Sequence, residues 1–220
     1  MYCATTRLHW PLMELGPQSP YPTSPEPTSE ERIRDAALES FASHGVAATS
    51  MRMVADSANV SIGLVQHYFK TKAALVSTVD QYVLRVISDA LGAATMPDPP
   101  TDALDEAGNR LTKLTTDHPV VINYLGRALC EGGEIGSVVF DGLVAISTAQ
   151  REHFHEQGSL RADLDPLWAA LNPLILRVGA FILRPHIERH LGEPFFTPNQ
   201  LQRWDESVTK ALREGFFRQP

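Results

Sequence analysis

Cysteine is scarce in this chain: Cys3 and Cys130 are the two in 220 residues. Two thiols cannot build the bridge framework that holds small secreted domains together, so stability must come from a packed core, and a reducing, cytoplasmic compartment is expected. No apolar run approaches the ~18 residues a membrane helix needs, so no membrane partner is expected. The first residues lack a charged segment leading into an apolar one, and no secretory signal is expected. A glycine-rich phosphate loop, a nucleophile elbow and a His-Glu-x-x-His pair are all missing. Lacking a catalytic constellation, the chain reads as a binding protein and not an enzyme, with no cofactor. His186 and His190 are four apart and could share a helix face, but no third ligand accompanies them, and His153 and His155, two apart, diverge on a helix, so no metal is expected. Excess positive charge is lacking too, since the formal net charge is −7. That charge is uneven: residues 29–95 carry six Lys/Arg against seven Asp/Glu, and residues 96–220 carry twelve against seventeen. Contact with nucleic acid would therefore have to come from a local patch and from backbone N–H donors.

What is present is a helical pattern. Hydrophobic residues make up 43% of the chain, enough for a sizeable core. Residues 1–28 hold six prolines and no apolar period, and read as a disordered extension, with a later start such as Met13 as the alternative. A first helix is predicted from the cap region Ser29, Glu31 and Arg32 to Gly45, with Ile33, Ala36, Ala37 and Phe41 on one face. A second starts after Thr49 or Ser50, with Met51, Val54, Ala55 and Ala58 inward. Asn59 takes the turn, because asparagine tolerates the left-handed conformation better than most residues. Ser61 caps a third helix to Phe69, and Thr71 a fourth with the stripe Leu75, Val79, Val83, Val86 and Ile87. After a break at Met96–Asp102, helices are predicted over 102–117, from Pro119 to Glu131, from Ser137 to Gln157, from Pro166 to about Arg184 with a kink at Pro173, and from Pro198 to about Phe217. Cys130 falls in one of these, where it could sense oxidation, whereas a buried thiol, the usual case, would be inert. The fold class is all-α, with about nine helices and no strand.

Two short helices joined by Ala58-Asn59-Val60-Ser61 have helix-turn-helix spacing, in which one helix braces the backbone while the second enters a major groove about 12 Å wide. Phe41, Val54, Val65, Phe69 and Leu75 are the expected core of this head. Residues 29–80 resemble the DNA-binding domain of the TetR family of transcriptional regulators. The resemblance rests on Ala36-Ala37, Phe41, Gly45, Thr49-Ser50, Val54-Ala55, Val60-Ser61, Gly63, the run His67-Tyr68-Phe69-Lys70-Thr71-Lys72, and Ala74-Leu75. It implies three parts: a disordered extension over 1–28, a helix-turn-helix domain over 29–76, and a ligand-binding and dimerisation domain over 77–220. It implies that Thr49 and Ser50 bond phosphate, that Ser61, Ile62, Gly63, Leu64, Gln66 and His67 approach bases, and that Tyr68 and Lys72 meet the backbone, with Arg52 and Lys70 as further phosphate candidates. Two positions depart from the family pattern: Asn59 replaces a common glycine, and Gln66 replaces a tyrosine. Glutamine can pair bidentately with adenine, so Gln66 is expected to read a base.

The resemblance further implies a homodimeric repressor on a double-stranded DNA operator, released by a small-molecule effector whose identity the sequence leaves open; the alternatives are a DNA-binding regulator without a ligand and a helical small-molecule-binding protein with no DNA role. Dimerisation is expected through the last two long helices. One carries Ile175, Val178, Phe181 and Ile182; the other carries Trp204, Val208 and Leu212; the alternative is that these stripes face the subunit's own core. Tyr124, Arg127, Phe154, Trp168, Asn172 and Arg177 are the candidate pocket residues, since aromatics with a few convergent polar groups suit a ligand site; Arg127 and Arg177 could favour an anionic ligand or instead pair with Glu131 or another carboxylate.

Overall fold

The computed structural model describes residues 27–91 and 100–217, the side chains of residues 100–103 excepted. The expected extension up to residue 26 and the expected break at 96–99 lie outside them. Ten α-helices and one 3-10 turn follow in order: α1 Ser29–His44, α2 Met51–Ser57, α3 Ile62–Tyr68, α4 Lys72–Leu91, α5 Pro100–Asp117, α6 Pro119–Glu131, α7 Glu134–Glu156, α8 Pro166–Ile182, α9 Arg184–Ile187, η1 Glu188–His190 and α10 Pro198–Phe216. Among the described residues the one β-type pairing is an isolated bridge between Leu160 and Phe217.

The helix starts follow from local chemistry. The α1 cap is Thr28, one residue before the expected Ser29: its hydroxyl accepts from Glu31 N at 3.2 Å and the Glu31 carboxylate accepts from Thr28 N at 2.8 Å. This reciprocal capping box holds the Glu31 carboxyl below its usual range, chiefly through the backbone bond to Thr28. Ser50, Ser61, Asp165 and Thr197 cap α2, α3, α8 and α10 through side-chain acceptors, and Thr71 Oγ1 accepts from Ala74 N at 3.1 Å to start α4. Asn59 has φ 53°, the left-handed turn expected of it.

Three expectations are corrected. α7 begins three residues before Ser137, at Glu134, with Gly133 in the cap position. α8 runs through Pro173 without interruption. Proline crowds the preceding turn, and Ser147 of α7 donates to the Ala170 carbonyl there at 2.7 Å. The sharp change of direction comes later, a 67° bend between α8 and the Arg184–His190 segment. Cys130, expected to be buried, is exposed.

One apolar core joins the head to the bundle. It contains Ile33, Phe41, Val54, Val65 and Leu75 from α1–α4, and continues without a gap into Val121, Tyr124, Leu125 and Val139 of α6 and α7. Helices α6 and α7 touch closely at Gly136, where an added Cβ would stand 2.5 Å from the Ala128 carbonyl oxygen. A separate aromatic cluster, Phe181, Phe195 and Trp204, fastens α8, the loop before α10, and α10. No single helix among the described residues is long and apolar enough to cross a membrane.

Candidate functional site

Helix α3 is held by its inner side and bare on its outer one. Val65 is fully buried and the following Phe69 nearly so. The turn before α3 is fixed by Val60 N donating to the Ala55 carbonyl at 3.0 Å. Because these anchors fix the helix's rotation, Ser61, Ile62, Gly63, Gln66 and His67 lie exposed on the opposite side. Tyr68 is exposed as well, its ring edge-on to His67 with centroids 5.4 Å apart. Ser50, Arg52 and Lys70 are exposed beside them. Lys72 is half-buried and donates to the Ala47 carbonyl at 3.3 Å, in the loop leading to α2. This side thus offers three helix-starting segments, three hydroxyls, one amide and three cations.

Two of the expected contacts sit differently. Thr49 is 1% exposed, and its hydroxyl donates to the Gly45 and Ser40 carbonyls at 2.9 and 3.2 Å. It therefore ties the loop to the end of α1 and does not face outward. Leu64 is half-buried against the core of the head, so its side chain packs inward where Ile62 stays exposed.

Behind the head, helices α4 to α8 and α10 line a partly open cavity of about 170 Å³. Its wall is mainly aliphatic and includes Leu111 and Leu114 of α5, Leu125 of α6, Leu143 of α7 and Leu174 of α8. Of the six expected pocket residues only Arg177 borders it. Phe154 lines a smaller neighbouring hollow of about 60 Å³. Trp168 is 52% exposed on α8, and Asn172 is half-buried outside the lining.

Tyr124 and Arg127 are instead the ties between bundle and head. The buried Tyr124 donates its hydroxyl hydrogen to Asp80 Oδ1 of α4 at 2.6 Å. Burial raises the phenol's pKa far above its ordinary value, and the bond to Asp80 raises it further. Asp80 itself is raised, mainly by desolvation, with Glu134 adding to the rise and the Tyr124 bond opposing it. Arg127 donates from Nε to the Ala42 carbonyl at 3.3 Å and from Nη2 to the Ser43 carbonyl at 3.1 Å. It thereby satisfies carbonyls that the end of α1 leaves open, where a cation is also favoured by the helix dipole. Sequence reasoning missed these roles because the partners lie 44 and about 85 positions away.

The two stripes expected at a dimer face also part company. On α10, Val208 and Leu212 are buried within the subunit, Leu212 to 2% exposure, and Trp204 is half-buried in the aromatic cluster. Phe181 belongs to that cluster, Val178 to the cavity wall, and Ile182 is half-buried. The outer side of α8 is different: Trp168, Ile175 and Leu176, with Leu183 just past the helix end, are all at least 45% exposed, leaving an uncovered apolar strip.

Residues 33–79 match the family model for bacterial regulatory proteins of the tetR family. The chain is similar to the HTH-type transcriptional regulatory protein RaaS of Mycobacterium tuberculosis, 28% identical over 152 residues, 69% of each chain. It is also similar to the HTH-type transcriptional repressor Rv3405c of the same organism, 27% identical over 172 residues, 77% of this chain and 81% of that one. The crystal structure of a TetR family regulator from Chloroflexus aurantiacus has the same fold, with a TM-score of 0.70 at 20% identity, covering 87% of this chain and 94% of the other. The exposed α3 on a three-helix head, an all-helical body and these likenesses agree: residues 33–79 form a DNA-binding helix-turn-helix of the tetR family, and the chain resembles HTH-type transcriptional regulators over most of its length.

Proposed function

We propose that the protein is a ligand-responsive repressor that binds its operator as a homodimer and releases it when a small molecule fills the cavity. The observation that carries this reading is the double duty of α6. Tyr124 and Arg127 grip the head, while Leu125, Gly126 and Leu129 of the same helix form part of the cavity wall. A molecule that wedges the cavity wider would displace α6, and with it the carbonyls of α1 and the α4 carboxylate that it holds. Such coupling needs the ligand to prefer one head position over the other. The likeness to a protein named a repressor supports the sign of the response.

In this reading Ser61, Ile62, Gly63, Gln66 and His67 meet base edges, and Ser50, Arg52, Tyr68, Lys70 and Lys72 meet phosphate, with Gly63 letting the backbone come close. Leu64 sits at the margin of that surface, and Thr49 supports it from within. The functional division between head and bundle is placed at residue 76, inside α4. The exposed strip of α8 meets its twin in a second copy, which sets the two α3 helices about one DNA turn, roughly 34 Å, apart. The working compartment is the cytoplasm, where the DNA is.

Fluorescence anisotropy of the full chain on DNA from upstream of its own gene tests the proposal. Specific binding at moderate salt, with two chains per site, is expected. Binding no tighter than to random DNA of equal length would overturn it.

A further inference from the structure

The cavity's chemistry narrows the class of molecule it can hold, given the reading of that cavity as the effector site. Its aliphatic wall is interrupted by four polar side chains: Arg110, Ser147, Gln150 and Arg177. Two of them are cations, and each already has a carboxylate. Arg177, 8% exposed, donates from Nη1 to Asp205 Oδ1 at 2.5 Å and from Nη2 to Thr209 Oγ1 at 3.1 Å. Asp205 can come this far in because α5 offers Gly108: any Cβ there would collide with the Asp205 carboxylate. Arg110 donates from Nε to Glu106 Oε1 at 2.6 Å. The Ser147 hydroxyl hydrogen is given to the Ala170 carbonyl. Gln150 remains, an uncharged amide able both to donate and to accept.

A charged ligand meets an obstacle in such a site. An anion would have to compete with Asp205 or Glu106 for its arginine, stranding a largely buried carboxylate in the case of Asp205, and a cation would meet two arginines with no carboxylate to spare. An unpaired charge in an apolar cavity loses more hydration than a small ligand's contacts return. A cavity of about 170 Å³ is close in size to an engineered hydrocarbon cavity that takes benzene.

We propose that the cavity takes an uncharged, mainly hydrocarbon molecule of roughly ten heavy atoms, with at most one hydroxyl or carbonyl group, which Gln150 meets.

The test uses three eight-carbon probes that share a tail: n-octanol, octanoate and n-octylamine, the last two charged at neutral pH. Binding to the full-length protein is measured by calorimetry and by the shift in melting temperature. n-Octanol should bind, and the two ions should bind at least about tenfold more weakly. In Asp205→Asn, and in the half-exposed and structurally milder Glu106→Gln, an arginine loses its carboxylate, so octanoate should gain about tenfold on n-octanol. The wild-type comparison decides alone should either variant fail to fold. Octanoate binding as tightly as n-octanol, or no probe binding, overturns the proposal.

Anisotropy on the upstream DNA, run with each probe, separates this from the regulatory reading. If n-octanol binds but leaves DNA affinity unchanged, the ligand class stands and the coupling falls. If octanoate binds best and releases DNA, the regulator stands and the class is overturned.

Discussion

Replacing Tyr124 by phenylalanine removes one hydroxyl and leaves the ring that packs beside Phe41 at a centroid distance of 6.4 Å. What is lost is the 2.6 Å bond to Asp80. The carboxylate stays half-buried, with Glu134 near enough to disfavour its charge. A bond to a charged acceptor, together with the desolvation of the partner left behind, is worth about 1–3 kcal/mol; the partial exposure of Asp80 argues for the middle, about 2 kcal/mol. For a domain of this size that lowers the melting temperature by roughly 4–8 °C. The sign with pH follows from the carboxyl. Its folded pKa already lies above the unfolded value, so the folded state loses stability as pH rises through that raised value. The tyrosine bond opposes the rise, and its removal lets the pKa climb further. Tyr124→Phe should therefore cost most at neutral pH and progressively less as pH falls toward the ordinary aspartate range, where Asp80 is protonated in both proteins. Urea unfolding of wild type and variant at several pH values measures this. A cost that stays flat with pH would refute the reasoning, because the bond would then not depend on the charge of Asp80. In a double-mutant cycle, Asp80→Asn should make the cost of Tyr124→Phe independent of pH.

The head and the bundle give four further expectations. Gln66→Ala should relax base preference at one operator position at a cost of about 1–3 kcal/mol, read by binding to a panel of single-base variants. Lys72→Ala should weaken binding to all sequences alike and reduce the slope of log affinity against log salt by about one, measured by anisotropy. Gly136→Ala forces a methyl into the Ala128 carbonyl, and should cost about 2 kcal/mol in urea unfolding with DNA contacts untouched. Leu176→Glu places a charge on the exposed strip of α8, and should lower the mass seen by light scattering at micromolar concentration without lowering helical content.

Much of the fold was legible because helix ends are local events. Thr71, Asp165-Pro166 and Thr197-Pro198 announce their helices, and Asn59 is one of the few residues that accepts φ 53°. α6 keeps its expected bounds from Pro119 to Glu131. What stayed hidden is which partner a side chain finds. Val208 and Leu212 form a real apolar stripe, but a stripe states only that one side is covered, and here the subunit's own core covers it. Thr49 is a good capping residue by type, yet the cap falls to Ser50, and the Thr49 hydroxyl turns back to carbonyls at Gly45 and Ser40. Tyr124 and Arg127 look like pocket residues because aromatics and cations often are; their partners are set by how α6 crosses α1 and α4, which no local pattern records. Leu64 and Ile62 differ only in the rotation of a seven-residue helix, fixed by the burial of Val65.

The uninterrupted core from Ile33 to Val139 has a consequence for how such a protein can diversify. The walls of the cavity are not equal. Cavity residues of α5 and α8 are not part of that shared core, so they can change size or polarity and admit new molecules with little effect on DNA contact. Residues of α6 are part of the same solid packing as the head, so each exchange there also resets its angle. Drift in what the protein senses is therefore cheap from one direction, and from the other it is inseparable from drift in what it reads.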